Sequence, residues 1–116
     1  MMYKLLKSKL HRATVTDADV EYEGSISIDA GLMDAANIRE YEEVHVWDVT
    51  NGARLTTYAI PDERKGSICI NGAAAKLVNK GDTVIIACYA YYDDQDAAEH
   101  EATKLFLDEA NNVKTS

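Results

Sequence analysis

Tyr22-Glu23-Gly24-Ser25-Ile26 is the segment whose residue types can do chemistry on the chain itself. Gly24 has no Cβ, so its peptide can adopt strained dihedral angles closed to other residues, and Ser25 sets a hydroxyl beside the Gly24 carbonyl. If Ser25 Oγ adds to that carbonyl, the amide rearranges to an ester. β-Elimination then splits the chain and leaves a dehydroalanine that hydrolyses to a pyruvoyl group, a ketone made from protein. A Gly-Ser pair alone is more often a turn that opens a strand, so its surroundings decide between the two readings.

The elements that must position this segment follow from hydrophobic period. Alternating or apolar runs rich in β-branched and aromatic residues cover Tyr3–Leu6, Ala13–Val15, Ser25–Ile28, Val44–Val49, Leu55–Ile60, Ser67–Ile70 and Thr83–Tyr91. Seven short strands imply a barrel or a sandwich. Turn chemistry separates them at Thr50-Asn51-Gly52, Asp62–Gly66 and Asn79-Lys80-Gly81-Asp82. Asp29 can cap a short helix whose Leu32, Met33 and Ala36 share a face, with Asn37 as its stop. The expected class is mainly β with short helices. The tail from Asp93 supports two readings. Asp96 with Glu99 resembles a capping pair ahead of Ala98, Ala102, Leu105 and Phe106 at helical spacing, while Lys104-Leu-Phe-Leu before Asn111-Asn112 reads as strand and turn.

At 116 residues, with 47% apolar and 28% charged positions, the chain has the composition of one soluble domain. Its net charge of −8 repels phosphate backbones and anionic lipid, so neither nucleic acid nor a membrane surface is an expected partner. The longest apolar run, Val84–Tyr92, is about half of the ~20 residues a spanning helix needs. The basic start, MMYKLLKSKLHRATV, lacks an apolar signal core, and the expected location is cytoplasmic. Cys69 and Cys88 sit in apolar strands without a CxxC or Cys/His cluster, which reads as buried thiols and no metal site.

With these elements in place, the sequence resembles the pyruvoyl-dependent aspartate 1-decarboxylases. The resemblance rests on Lys9-Leu10-His11-Arg12, Tyr22-Glu23-Gly24-Ser25, Leu32-Met33-Asp34-Ala35-Ala36, Trp47-Asp48-Val49-Thr50-Asn51-Gly52, Thr57-Tyr58-Ala59-Ile60 and Asn71-Gly72-Ala73-Ala74-Ala75 followed by Gly81-Asp82. It covers residues 1 to 91. It implies a small double-psi β-barrel, usually a homotetramer, cleaved between Gly24 and Ser25 into chains 1–24 and 25–116. A pyruvoyl group derived from Ser25 would then serve as the covalent cofactor for converting L-aspartate to β-alanine and carbon dioxide for pantothenate synthesis. Self-processing can be spontaneous or assisted by a maturation factor.

The same resemblance implies roles for individual residues. Tyr58 becomes the proton donor, since a phenol is neutral at pH 7, and Thr57 polarises the Gly24 carbonyl. Asn71 and the backbone amides of Gly72, Ala73, Ala74 and Ala75 donate to the oxyanion or the substrate. Lys9 and Arg54 become the fixed cations for the substrate carboxylate, where each taken alone would read as a solvated surface charge. His11 orients a carboxylate or assists maturation, and Tyr22 lines the pocket. His45 and His100 have no counterpart and are expected in solvent. Period two puts Lys9 with His11 on one face and Arg54, Thr56 and Tyr58 on another, with Thr57 pointing away from Tyr58. Using both Thr57 and Tyr58 therefore requires a distortion at this pair or a site built between subunits. The competing readings are a catalytically silent small β-barrel binding module and a DNA-binding swapped-hairpin barrel, the latter opposed by the net charge.

Overall fold

The computed structural model describes residues 1–114. Its elements in chain order are β1 (Tyr3–Thr14), β2 (Asp17–Asp19), β3 (Ser25–Asp29), α1 (Ala30–Ala36), β4 (Glu43–Asp48), β5 (Arg54–Asp62), β6 (Ile68–Asn71), a 3-10 turn (Gly72–Lys76), β7 (Thr83–Tyr92), α2 (Asp94–Glu99) and β8 (Thr103–Phe106). The strands form one sheet in the order β2-β6-β3-β5-β4-β7-β1-β8. β2 lies at one end of that order and β1 next to the other, yet only Val15 and Thr16 separate them in sequence. The chain crossing between them rolls the sheet into a small β-barrel. Hydrogen bonds secure the closure: Val15 N–H donates to the Asp82 carbonyl at 2.9 Å and Thr16 N–H to the Ile68 carbonyl at 2.8 Å. The Thr16 hydroxyl accepts from Ile68 N–H at 2.9 Å. The mainly β class with short helices matches the expectation.

Strand period then sorts the side chains. Leu10, Ile26, Ile28, Val44, Val46, Ile68, Ile70, Val84 and Ile86 are fully buried and form one core inside the barrel, so their alternates face outward. Asp29 caps α1 by accepting from Gly31 N–H at 2.8 Å, and Asn37 ends it in the left-handed region at φ 57°.

Several sequence expectations need correction. Tyr3–Leu6 and Ala13–Val15 are not two strands. They belong to one continuous run, interrupted by register shifts between Leu6 and Ser8 and between Leu10 and Ala13, the second at Arg12 with φ 64°. A bulge moves later side chains to the other face and so hides a strand from a period-two reading. The three-residue β2 escaped for want of length, and with β8, one of the two tail readings, the strands number eight rather than seven. Both tail readings are partly right: α2 is capped by Asp93, not Asp96, and β8 pairs parallel to β1. His100 is not a solvated side chain, because it stacks on Tyr92 at 4.2 Å and its Nε2 meets the Leu6 carbonyl at 2.6 Å. Both cysteines are free and buried.

Asp48 at the end of β4 and Asp82 before β7 are both buried, and neither forms an ion pair among the described residues. Asp48 Oδ1 accepts from the Thr50 and Asn51 amides, at 2.8 and 3.2 Å, and Asp82 Oδ2 from the Asn79 amide at 3.0 Å. Asp48 Oδ2 is buried with no donor of its own. Burial, reinforced by a side-chain hydrogen bond to Asp82, pushes the Asp48 carboxyl above the usual aspartate range. The same bond, with the Asn79 amide, holds Asp82 below it. One proton shared between the two would account for both directions.

The signs follow by linkage. Stability from the raised Asp48 is present at low pH and lost as pH rises through its folded value, whereas stability from the depressed Asp82 is lost as pH falls. Asp48→Asn puts an N–H donor where the shared proton sits. Its melting temperature relative to wild type should therefore be more favourable at about pH 8 than at about pH 5. A difference independent of pH would show that no proton is shared.

Candidate active site

Ser25 opens β3 opposite Asn71 of β6, and the pairing Ser27↔Cys69 follows one alternate further on. Because Ile26 and Ile70 point into the core, Ser25, Ser27, Cys69 and Asn71 share the outer face. That face is concave. A cavity of about 580 Å³ is lined there by Ser25, Ser27, Asn71 and Cys69, by Asp17 and Asp19 of β2, by Tyr58 and Ile60 of β5, and by Tyr22, Glu23, Tyr41 and Arg64 from the loops. Ser25 is nonetheless only 6% exposed. Asn71 Nδ2 donates to Ser25 Oγ at 3.2 Å and to Ser27 Oγ at 3.1 Å, while the Ser25 hydroxyl faces the Glu23 carbonyl at 3.5 Å.

The left-handed glycine of this site is Gly72, at φ 73°, and not Gly24, which stays outside that region. A Cβ on Gly72 would stand 2.6 Å from Gly24 Cα, 2.8 Å from Gly24 N and 3.1 Å from the Tyr22 carbonyl, whereas one on Gly24 would meet nothing within 4 Å. Backbone therefore packs directly on backbone at the Gly24-Ser25 junction. The turn that follows Asn71 is held against this bond by its lack of a side chain. The parallel β3–β5 register pairs Ile26 with Ala59, and extending it backwards sets Ser25 level with Tyr58 and Gly24 level with Thr57.

Arg54 and Lys9 lie elsewhere. Arg54 is four residues before Tyr58 on β5, about 13 Å of strand, and its guanidinium stacks on Trp47 at 4.7 Å. With Lys4, His45, Trp47, Leu55, Thr56 and Tyr89 it lines a second cavity of about 460 Å³. The register rows Thr56↔His45, His45↔Ala87 and Ala87↔Lys9 place Lys9 on the same outer face. Lys9 Nζ meets His11 Nδ1 at 3.3 Å, and His11 sits edge-on to Phe106 at 5.2 Å. Burial, then the charges of Lys9, Arg12 and Lys114, lowers the His11 pKa. His45 is half-buried and edge-on to Tyr89 at 5.2 Å, contrary to its expected place in solvent.

The β4–β5 register runs without a shift from Glu43↔Tyr58 to Trp47↔Arg54, so the distortion that would turn Thr57 and Tyr58 to one side is not there. Thr57, opposite the core residue Val44, takes the inward face. Ala74 and Ala75 of the 3-10 turn pack on the core, and Ala73 is exposed. None of the three lines the Ser25 cavity.

The sequence pattern described as "Aspartate decarboxylase" matches residues 1–114. The chain belongs to this family. Relatives named aspartate 1-decarboxylase agree: one from Syntrophus aciditrophicus is 55% identical over 115 residues, 98% of this chain and 99% of that protein. One from Legionella pneumophila (strain Lens) is 56% identical over 113 residues, 96% and 84% of the two chains. One from Clostridium novyi is 51% identical over 114 residues, 97% and 93%.

Within this aspartate decarboxylase chain, the site holds residues that the sequence reading passed over. Ser27 was findable, since period two puts it beside Ser25. Tyr41 was not: it reaches Tyr58, with ring centroids 6.1 Å apart, from a left-handed φ of 70° that no tyrosine signals in sequence. It is held there by Tyr41 N–H donating to the Ala59 carbonyl at 2.7 Å and by the neighbouring Lys7–Glu42 ion pair at 2.7 Å.

The Gly72 contact can be tested against a control. Gly72→Ala and Gly52→Ala both place a Cβ at positive φ, a strain of about 1–2 kcal/mol, but only Gly72 has backbone in the way. Gly72→Ala should lower the denaturation midpoint clearly more than Gly52→Ala does and make the 20–24 loop more susceptible to proteolysis. Equal losses would show that Gly72 does not brace that loop.

Proposed function

We propose that this chain cleaves itself between Gly24 and Ser25 and then decarboxylates L-aspartate to β-alanine. The observation that carries the reading is the packing of Gly72 backbone on Gly24 beside a buried Ser25 whose Oγ accepts from Asn71. That arrangement fixes a buried hydroxyl next to the Gly24-Ser25 peptide bond.

In the proposed cleavage, Ser25 Oγ adds to the Gly24 carbonyl carbon and the amide nitrogen leaves, so the peptide becomes an ester. Loss of the residue 25 α-proton then breaks the Cβ–Oγ bond. Gly24 departs as a carboxylate that keeps that oxygen, and water displaces ammonia from the new N-terminus. Thr57, level with Gly24, polarises the carbonyl, and Asn71 with the Gly72 turn steadies the charge that develops on its oxygen. The pyruvoyl group so made fits the pocket at Ser25 and supplies an electron sink for the carboxylate's bonding pair. Tyr58, level with Ser25, delivers the proton to the former α-carbon. Tyr22 and Tyr41 screen the pocket mouth.

A substrate dicarboxylate also needs cations, and Lys9 and Arg54 lie on the far part of the outer face. With no distortion in β5, the remaining arrangement is the other one expected: a second copy lays its Arg54 and Lys9 face over the Ser25 cavity, within a homotetramer. The chain then works in the cytoplasm, where free Cys69 and Cys88 stay reduced, with or without a maturation factor.

Intact mass spectrometry tests the cleavage. Purified protein should resolve into fragments 1–24 and 25–116, the larger lighter by one ammonia than a fragment beginning with free Ser, and Ser25→Ala should stay whole. Adjacent residues then separate making the group from using it. Thr57→Val should accumulate uncleaved, while Tyr58→Phe should cleave normally and lose aspartate turnover by about a hundredfold or more. A single full-mass wild-type chain, even after prolonged warming with a cognate maturation factor, would overturn the proposal.

A further inference from the structure

The amide of Asn71 has two N–H donors on Nδ2, and in the uncleaved chain both are committed, to Ser25 Oγ at 3.2 Å and to Ser27 Oγ at 3.1 Å. The two serines are alternates on the outer face of β3 and line the same cavity. Their fates differ. Cleavage as proposed above carries the Ser25 oxygen away in the new Gly24 carboxylate, which removes one of the two acceptors. Ser27 takes no part in that bond change and keeps its hydroxyl.

We infer that Ser27 is a positioning residue of the decarboxylation: it holds the Asn71 amide through maturation, so that the N–H released by Ser25 faces a carboxylate oxygen of the bound substrate. The inference rests on the pyruvoyl reading and deepens it. A buried amide with one fixed partner cannot rotate freely. One hydrogen bond to Ser27 therefore sets the direction of the other donor, and an N–H left unpaired in a pocket only 8% exposed at Asn71 favours a ligand that brings an acceptor. The role needs the hydroxyl and not merely the volume of the side chain, and it is distinct from the role of Asn71 toward Ser25, which Ser27 does not touch.

The experiment compares Ser27→Ala, Ser27→Thr and Asn71→Ala, alone and with Ser27→Ala. Intact mass gives the extent of cleavage, steady-state kinetics give KM and kcat for aspartate, and calorimetry gives Kd for succinate, a dicarboxylate without an amine to condense. Ser27→Ala should cleave completely. Its KM for aspartate and its Kd for succinate should rise together by about fivefold to tenfold, the loss expected for one misdirected hydrogen bond, with kcat held within about twofold. Ser27→Thr returns the hydroxyl and should match wild type. Adding Ser27→Ala to Asn71→Ala should cost nothing more in succinate binding, because the first acts through the second. Wild-type constants in Ser27→Ala, a Ser27→Thr that behaves like Ala, or additive losses in the double variant would each overturn the inference. A wild-type chain that stays whole would instead overturn the functional reading beneath it.

Discussion

The approach of Gly72 backbone to Gly24 is the contact on which the rest of the site depends. The loop before Ser25 has no strand partner of its own, and a Cβ at Gly72 would fall 2.6 Å from Gly24 Cα. Because Gly72 follows Asn71, and Asn71 pairs with Ser25 across the β3–β6 ladder, one tight turn brings together a hydroxyl, an amide donor and the peptide bond between them. The backbone freedom that the sequence suggested for Gly24 is used by Gly72, which takes the left-handed conformation. Gly24 is left free to change hybridisation while its surroundings stay put, which suits a residue whose carbonyl must react.

The second organising fact is the alternation of inner and outer faces around a closed sheet. The core takes Ile26, Ile70, Val44 and Ile86, and their alternates supply two concave regions on the outside. One holds Ser25, Ser27, Asn71 and Tyr58. The other holds Arg54 stacked on Trp47, with Lys9 and His11 on the same face. Tyr58 stands near their border. In an acidic chain this sets Arg54 and Lys9 apart from the reacting serine, whose own cavity holds Arg64 paired with Asp62. Under the proposed function a second copy brings Arg54 and Lys9 to the substrate.

Much of this was legible before the structure. Alternating Val44 and Val46, the run Thr83–Tyr91, the Asp29 cap and the Asn37 stop are local signals, and each formed the element it implied. What was not legible is non-local. Two bulges in β1 shift its faces and conceal that one strand spans Tyr3–Thr14. β8 exists through its parallel pairing with β1. The opposite pKa shifts of Asp48 and Asp82 need two carboxyls distant in sequence to be buried near each other. Tyr41 is held at the site by its N–H bond to the Ala59 carbonyl of β5, beside the Lys7–Glu42 ion pair. Within the site, residue types singled out Gly24 and Ser25 and the family resemblance supplied Asn71 and Tyr58, while the distance between Arg54 and Ser25 became visible only once the strand register was known.

The central claim is that Ser25 of one chain works with Arg54 of another, and subunit complementation measures it most directly. Ser25→Ala and Arg54→Ala chains, each nearly inactive alone, are co-expressed with different tags and the mixed oligomer is isolated through both. The account predicts that the mixture regains a substantial fraction of wild-type aspartate decarboxylation, because an intact Ser25 from one chain meets an intact Arg54 from its neighbour. A mixed oligomer as inactive as its parents would contradict it and return the whole site to a single chain.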